Sequence, residues 1–405
     1  MYEGDNMMGV KRTNRSAALR IIHQRGSISR KRLAESLKLT PAAITKIVAE
    51  MINEGLIAEG RTLPSDGVGR REVMVELNKT ARCALGVFIN LRQAMLSAVW
   101  LDGSVIFSEE LSLPARAPAE ETVKVISDRL MELAAENCLS RDRVVGLGVA
   151  IRGITSQAKQ TVLNSFGALD TENFPICQRF EEHTGIRAVL SNNVRALFAA
   201  HMFLARENNS SSQFFLRCEY GIGASMSINE RIWHGTSEQC AEIGHIPVVK
   251  RGGKPCTCGK CGCLETIASP TAIREDALAI LSPEETPVLW NMSIGKSPEQ
   301  LTLDNVLDAA RYGDKGVCAI LDRAVYALAG ALKTVIYLVD PGKIVLYGRM
   351  FENTYYLSKL MAEMREGVDS GRNVIIEKCP YNDILENTAA GVLAVEDFFD
   401  RGGIL

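Results

Sequence analysis

The residues best suited to chemistry lie between positions 242 and 265. Glu242-Ile-Gly-His245 is followed, after a short spacer, by Cys256-Thr-Cys258-Gly259-Lys260-Cys261-Gly262-Cys263-Leu264-Glu265. Thiols this dense between glycines make poor core material. They make good metal ligands, because glycine lets the chain turn tightly enough for several sulphurs to converge on one tetrahedral ion. The expected ligands of a structural Zn2+ are His245, Cys256, Cys258 and Cys263. Cys261 stays open as a fourth thiol, close enough to replace a neighbour or the histidine. Four protein ligands leave no open coordination position, so such an ion shapes the chain and does not activate water. Glu242 and Glu265 bracket the knuckle and are expected to be placed by it.

This pairing of EIGH with CxCGxxGCLE resembles the signature of the ROK family, which contains repressors, open reading frames and sugar kinases. With varying strength, the resemblance extends over nearly the whole chain from about residue 12. It implies a two-lobed, actin-like ATPase (RNase H-like) α/β body with a zinc knuckle. It also implies that Glu242, His245 and Glu265 meet sugar hydroxyls. The family's Asn-Asp pair, whose aspartate accepts the hydroxyl proton in kinases, is Asn192-Asn193 here, giving a sugar set of Asn192, Asn193, Glu242, His245 and Glu265.

The phosphoryl-transfer parts of such a kinase are altered. Its first hairpin resembles DxGxT, whereas this chain has Gly86-Val87-Phe88-Ile89-Asn90-Leu91-Arg92, with Phe88, Asn90 and Arg92 at the aspartate, glycine and threonine positions. Asn193 can orient a hydroxyl but cannot take up its proton at neutral pH. The second phosphate turn keeps Gly221-Ile222-Gly223 but is preceded by Glu219, whose charge repels a triphosphate. A sugar pocket without a phosphoryl-transfer apparatus is a sensor, and the chain is expected not to be an enzyme.

The elements before the body suggest what such a sensor controls. Ala18, Leu19, Ile22 and His23 share one helical face ending at Gly26, and Ser29 caps a second helix. Thr40-Pro41 then opens a third helix that runs to Glu54. Ile44, Ile47, Val48 and Met51 recur at helical spacing toward a core, which leaves Ala42, Ala43, Thr45, Lys46 and Ala49 outward. Two strands, 56–61 and 72–77, joined by a Pro- and Gly-containing turn, complete a winged helix-turn-helix. Small residues allow approach to a DNA groove and Lys46 reaches a phosphate or a guanine. Arg70 and Arg71 on the wing suit a narrow minor groove. In DNA-binding members this wing position resembles a glycine-arginine-proline motif, with Arg71 here in place of the proline.

Charge supports the division. Residues 10–71 carry 13 Lys and Arg against 5 Asp and Glu, a balance of +8 that leaves about −10 on the remainder. The expected domains are a DNA-binding head at 10–78, a first lobe at 81–193 to which a helix at 385–400 returns, and a second lobe at 194–384 carrying the metal. Residues 1–9 read as a disordered lead-in. Eleven cysteines behind a polar, charged start point to a reducing cytoplasm. Apolar runs such as Val144–Ile151 are too short to span a bilayer. His183, His201 and His234 lack partners at metal spacing, and Cys83, Cys138, Cys177, Cys218, Cys318 and Cys379 are scattered singly, as small buried residues are. The resulting expectation is a sugar-responsive regulator, a repressor in sign. Its partners are double-stranded operator DNA, a sugar or sugar derivative, and its own copies in a homodimer or homotetramer. The alternatives are an active sugar kinase with a DNA-binding head, or a regulator driven by a protein partner.

Overall fold

A computed structural model of the chain describes residues 7–63, 72–114, 118–205, 212–297, 300–366 and 372–405. Two compact units emerge, Met1–Asn208 with Asn382–Leu405, and Asn209–Tyr381.

The first unit opens with α1 (Met7–Arg25), so helix begins inside the stretch expected to be disordered. The strand β1 (Ser27–Ser29) leads into α2 (Arg30–Leu37), where the Ser29 side chain accepts from the Arg32 amide. Thr40 accepts from the Ala43 amide and Pro41 occupies the first turn of α3 (Pro41–Asn53), the start the sequence marks. Ile44, Ile47, Val48 and Met51 are buried, as their spacing requires. β2 (Ile57–Leu63) pairs antiparallel with β3 (Glu72–Leu77), and β1 adds to the far side of β3 in the order β1-β3-β2. Arg70 and Arg71 lie outside the described residues.

The same unit continues with β4 (Cys83–Ile89), β5 (Gln93–Trp100), β6 (Val105–Ser112) and α4 (Ala119–Glu136). Then come β7 (Val144–Ile151), the small pair β8 (Ile154–Ser156) and β9 (Thr161–Asn164), α5 (Ile176–Thr184), β10 (Ala188–Asn192) and α6 (Asn193–Leu204). Its sheet runs β10-β7-β4-β5-β6, with β4, β7 and β10 parallel and the other pairs antiparallel. One face of this sheet packs with α4 and α5 in a core that includes Leu85, Val87, Ile126, Leu147 and Phe180.

The second unit holds β11 (Ser212–Cys218), β12 (Ile222–Ile228), β13 (Arg231–Ile232), α7 (Glu265–Ala268), α8 (Pro270–Ala279), α9 (Pro287–Ser293), α10 (Leu303–Arg311) and α11 (Lys315–Val339). β14 (Lys343–Tyr347), α12 (Thr354–Arg365) and β15 (Ile375–Lys378) follow, giving the sheet order β13-β12-β11-β14-β15. The apolar stripe of α11, including Leu321, Leu328 and Leu332, anchors this core.

The chain then returns to the first unit as α13 (Asp383–Asp400). Its approach to the sheet is close enough to need glycine on both sides. A Cβ on Gly148 would lie 1.7 Å from the Ala390 carbonyl oxygen, and one on Gly86 would lie 2.5 Å from the Gly391 nitrogen. Gly86 and Gly148 pair across β4 and β7, so they form one smooth floor beneath the helix. α6 also packs on α13 in this unit, whereas the sequence placed residue 194 at the start of the second lobe. Among the described residues no helix is long and apolar enough to cross a membrane.

Candidate functional site

The knuckle is built from tight turns. The Cys256 amide donates to the Lys260 carbonyl at 2.8 Å and the Gly262 amide to the Lys254 carbonyl at 2.9 Å. Gly259 and Gly262 have φ of +83° and +75°, a region costly to any side chain. A Cβ on Gly262 would also stand 2.3 Å from the Val249 carbonyl oxygen. These turns gather one ligand atom each from His245, Cys256, Cys258 and Cys263 within 4.8 Å of one another. The Cys256 sulphur lies 3.4 Å from His245 Nδ1, and the Cys258 and Cys263 sulphurs are 3.6 Å apart. Cys261, left open by the sequence, is exposed and outside this cluster. Burial, followed by the neighbouring Cys258 and Cys256 sulphurs, pushes the Cys263 thiol up to about 12. Three soft sulphurs and an imidazole at this spacing fit the donor set of a tetrahedral divalent ion, which would relieve that crowding by binding thiolates.

Two carboxylates flank the cluster, and one of them is held by backbone. Glu265 opens α7, and its Oε2 accepts from the Ile222 amide at 3.0 Å, tying the helix to the start of β12. A Cβ on Gly221 would lie 2.2 Å from the same Oε2. Gly221 therefore leaves room for the Glu265 carboxylate where it bonds the Ile222 amide. Gly244 has a similar cause, since a Cβ there would lie 2.2 Å from the Ile222 carbonyl oxygen. The turn Ile243–His245 thus sits against β12, with Glu242 exposed at its start.

In the same unit, just before the Gly221 turn, both Glu219 oxygens are bonded. Its Oε2 accepts from the Arg349 amide at 2.9 Å and its Oε1 from the Tyr381 hydroxyl at 3.3 Å. The Arg349 amide follows Gly348, whose φ of +131° lets the chain pass 2.1 Å, at the Cβ position, from the Cys218 carbonyl oxygen. An internal carboxylate thus occupies a backbone donor of the kind that holds phosphates.

In the first unit Asn192 caps α6. Its Oδ1 accepts from the Val194 amide at 2.8 Å, and its Nδ2 donates to the Gly153 carbonyl at 2.6 Å. Asn193 is 4% exposed and its Oδ1 accepts from the same amide at 2.9 Å. Phe88 is buried within β4, so no polar group stands at the position of the kinase aspartate.

On the head, Ala42, Thr45, Lys46 and Ala49 are exposed along α3, and Ala43 is half-buried. The Thr45 hydroxyl donates to the Pro41 carbonyl at 2.7 Å, which leaves its oxygen to accept from a base amino group. Lys31 and Arg32, exposed on the first turn of α2, and Lys38 just after it add cations that the sequence reading did not single out. The run Arg30-Lys31-Arg32 immediately after the N-cap Ser29 is the signal that places these cations on the first turn of α2.

Residues 89–389 match the ROK family and residues 14–62 match the MarR family. The N-acetylglucosamine repressor of Escherichia coli O6:H1 is 28% identical over 350 residues, 85% of this chain and 82% of that protein. The DNA-binding transcriptional repressor Mlc of Escherichia coli K12 is 24% identical over 399 residues, 98% of this chain and 96% of its own. A solved structure of a ROK family transcriptional regulator, a homologue of the E. coli MLC protein, superposes with a TM-score of 0.79 at 22% identity, covering 97% of this chain and 98% of that one. That likeness shows the fold, a winged helix ahead of an actin-like ATPase body. With a family match across most of its length, the chain belongs to the ROK family.

Proposed function

We propose that this chain is a sugar-responsive transcriptional repressor that lacks kinase activity. It binds operator DNA through Ala42, Ala43, Thr45 and Lys46 on α3, joined by Lys31 and Arg32 of α2 and by Arg70 and Arg71 of the wing. It takes a sugar or sugar derivative at Asn192, Asn193, Glu242, His245 and Glu265. His245 gives Nδ1 to a structural Zn2+ held with Cys256, Cys258 and Cys263, which leaves Nε2 for a hydroxyl. Bound there, the ion supplies rigidity alone, because four protein ligands close its coordination. The repressor works as a homodimer or homotetramer, since one small head covers too few base pairs and two-fold operators match two-fold proteins.

The observation that carries the reading is the contrast between the two sides of the second unit. Glu265 is anchored through one oxygen and keeps another for a hydroxyl, while Glu219 fills the backbone amide that a phosphate needs. The relative named as an N-acetylglucosamine repressor makes N-acetylglucosamine the first effector to try. Calorimetry with monosaccharides, their phosphates and their N-acetyl forms should find a sugar that binds, and a coupled assay with that sugar should consume no ATP. Phosphorylation of the bound sugar at the rates of a working kinase would overturn the reading.

A further inference from the structure

The recognition helix α3 carries acids at the wrong end. Glu50 lies in its last turn, Glu54 is its C-cap residue, and no basic residue stands in that turn. The macrodipole makes a helix C-terminus negative, so two carboxylates there are destabilising unless a cation from elsewhere answers them. The Lys11 ammonium, at 2.8 Å, holds the Glu50 carboxyl below the usual range, so the charge is present. The second cation is Arg15 of α1, whose side chain is 2% exposed. Its Nη1 donates to Glu54 Oε1 at 2.9 Å, its Nη2 pairs with Glu54 Oε2, and Glu50 Oε2 lies 3.5 Å from Nη1. The remaining donor, Nε, reaches 387 residues along the chain to the Gly402 carbonyl at 2.8 Å.

The segment after α13 is shaped for this contact. Gly402 and Gly403 have φ of +73° and +74°. A Cβ on Gly402 would lie 3.0 Å from the Arg12 carbonyl oxygen, and one on Gly403 would lie 2.7 Å from Leu56 Cδ1 and 3.1 Å from Leu19 Cδ1. The head core is therefore closed by these two glycines. Arg401 fixes the segment from the body side, donating from Nη2 to the Val145 carbonyl at 3.1 Å and from Nε to Asp397 at 2.9 Å. Alongside, Arg20 pairs with Asp400 at 2.7 Å, and His23 stacks on Phe203 with ring centres 3.9 Å apart.

We propose that residues 401–405 are a working part of the DNA-binding head, and that Arg15 is a positioning residue that ties the C-terminal end of α3 to the turn after α13. The lever is long. α3 spans about 20 Å, so a tilt of about 10° at the tied end moves Ala42 about 3 Å and Thr45 about 2 Å, enough to break contacts with base edges. Phosphate contacts tolerate such a shift far better, because Lys and Arg are long and reach from several positions. A signal reaching α13 is thereby delivered to the orientation of α3.

This inference rests on the DNA-binding reading and has its own test. Duplexes selected from a random pool by the wild-type full chain serve as specific DNA, with poly(dI-dC) as the non-specific competitor. Arg15→Lys keeps the charge but loses the fork, and deletion of residues 402–405 removes the other partner. Each variant should lower affinity for the selected duplex about 10- to 100-fold and leave non-specific affinity within about threefold. The two changes combined should cost no more than the larger one alone, as members of one linkage do. Circular dichroism and melting curves report whether the variants are folded. The proposal is overturned if the truncated protein keeps the wild-type ratio of specific to non-specific affinity. It is equally overturned if both affinities fall together with the folded fraction. If the wild type selects no sequence, the DNA-binding reading fails and this inference falls with it.

Discussion

Glu265 separates structure from recognition when it is changed in two ways. Its Oε2 accepts from the Ile222 amide at 3.0 Å, and Ile222 is 5% exposed. Glu265→Gln keeps an oxygen able to accept from that amide, so the tie between α7 and β12 survives. What is lost is charge. A hydrogen bond to a charged group contributes about 1.5–3 kcal/mol against about 0.5–1.5 kcal/mol for a neutral one. Sugar affinity should then weaken by about 1–2 kcal/mol, or roughly 5- to 30-fold, with the melting temperature almost unchanged. Glu265→Ala removes the acceptor as well. Leaving the Ile222 amide unpaired costs about 1–3 kcal/mol, and each kcal/mol lowers the melting temperature by about 2–4 °C for a unit of this size. Calorimetry and thermal melts of the two variants side by side distinguish the terms. The reasoning is refuted if Glu265→Gln lowers the melting temperature as much as Glu265→Ala. It is also refuted if either variant binds the sugar as tightly as the wild type.

Three other outcomes follow from the same structure. Lys46→Ala should weaken binding to all duplexes alike and flatten the dependence of log affinity on log salt by about one unit, measured by anisotropy across a salt series; an unchanged slope places Lys46 away from phosphate. Metal analysis of anaerobically prepared protein should give about one zinc per chain, and Cys258→Ser should lower both zinc content and thermal stability, because site formation is coupled to folding; a metal-free, fully stable wild type contradicts the knuckle. Gly148→Ala should cost about 3 kcal/mol or more in denaturant unfolding, because its Cβ would stand 1.7 Å from the Ala390 carbonyl oxygen and α13 must lift to admit it; a loss within about 0.5 kcal/mol shows that the helix floor yields.

The parts of the fold that were legible in the sequence are those with a local cause. Thr40-Pro41 marks the start of α3, and the unbroken apolar run Val144–Ile151 is β7 to the residue. The Cys and His cluster was legible because its thiols lie close along the chain, so proximity in sequence nearly determines proximity in space. β1 was missed because three residues carry no period, and β3 supplies its partner from more than forty residues away. The glycines misled for a similar reason. Gly86 and Gly221 look like the remains of phosphate loops, but the α13 backbone demands the first and the second makes room for the Glu265 carboxylate, and both contacts are remote in sequence. Sequence also could not show that Asn192 and Asn193 both bond the Val194 amide at the start of α6, or that Arg15 is tied to Gly402. Long-range partners of this kind become visible only once the elements are assembled.

The measurement closest to the central claim is the affinity of the wild-type protein for its selected duplex at increasing concentrations of the sugar found by calorimetry. A ligand shifts an equilibrium only through its differential affinity for two states, so sugar should release the DNA, and saturating duplex should weaken sugar binding by the same factor. Each tenfold change corresponds to about 1.4 kcal/mol of coupling. Release of the duplex with equal factors in both directions is the result the account predicts; duplex affinity unchanged at a saturating concentration of the bound sugar would contradict it.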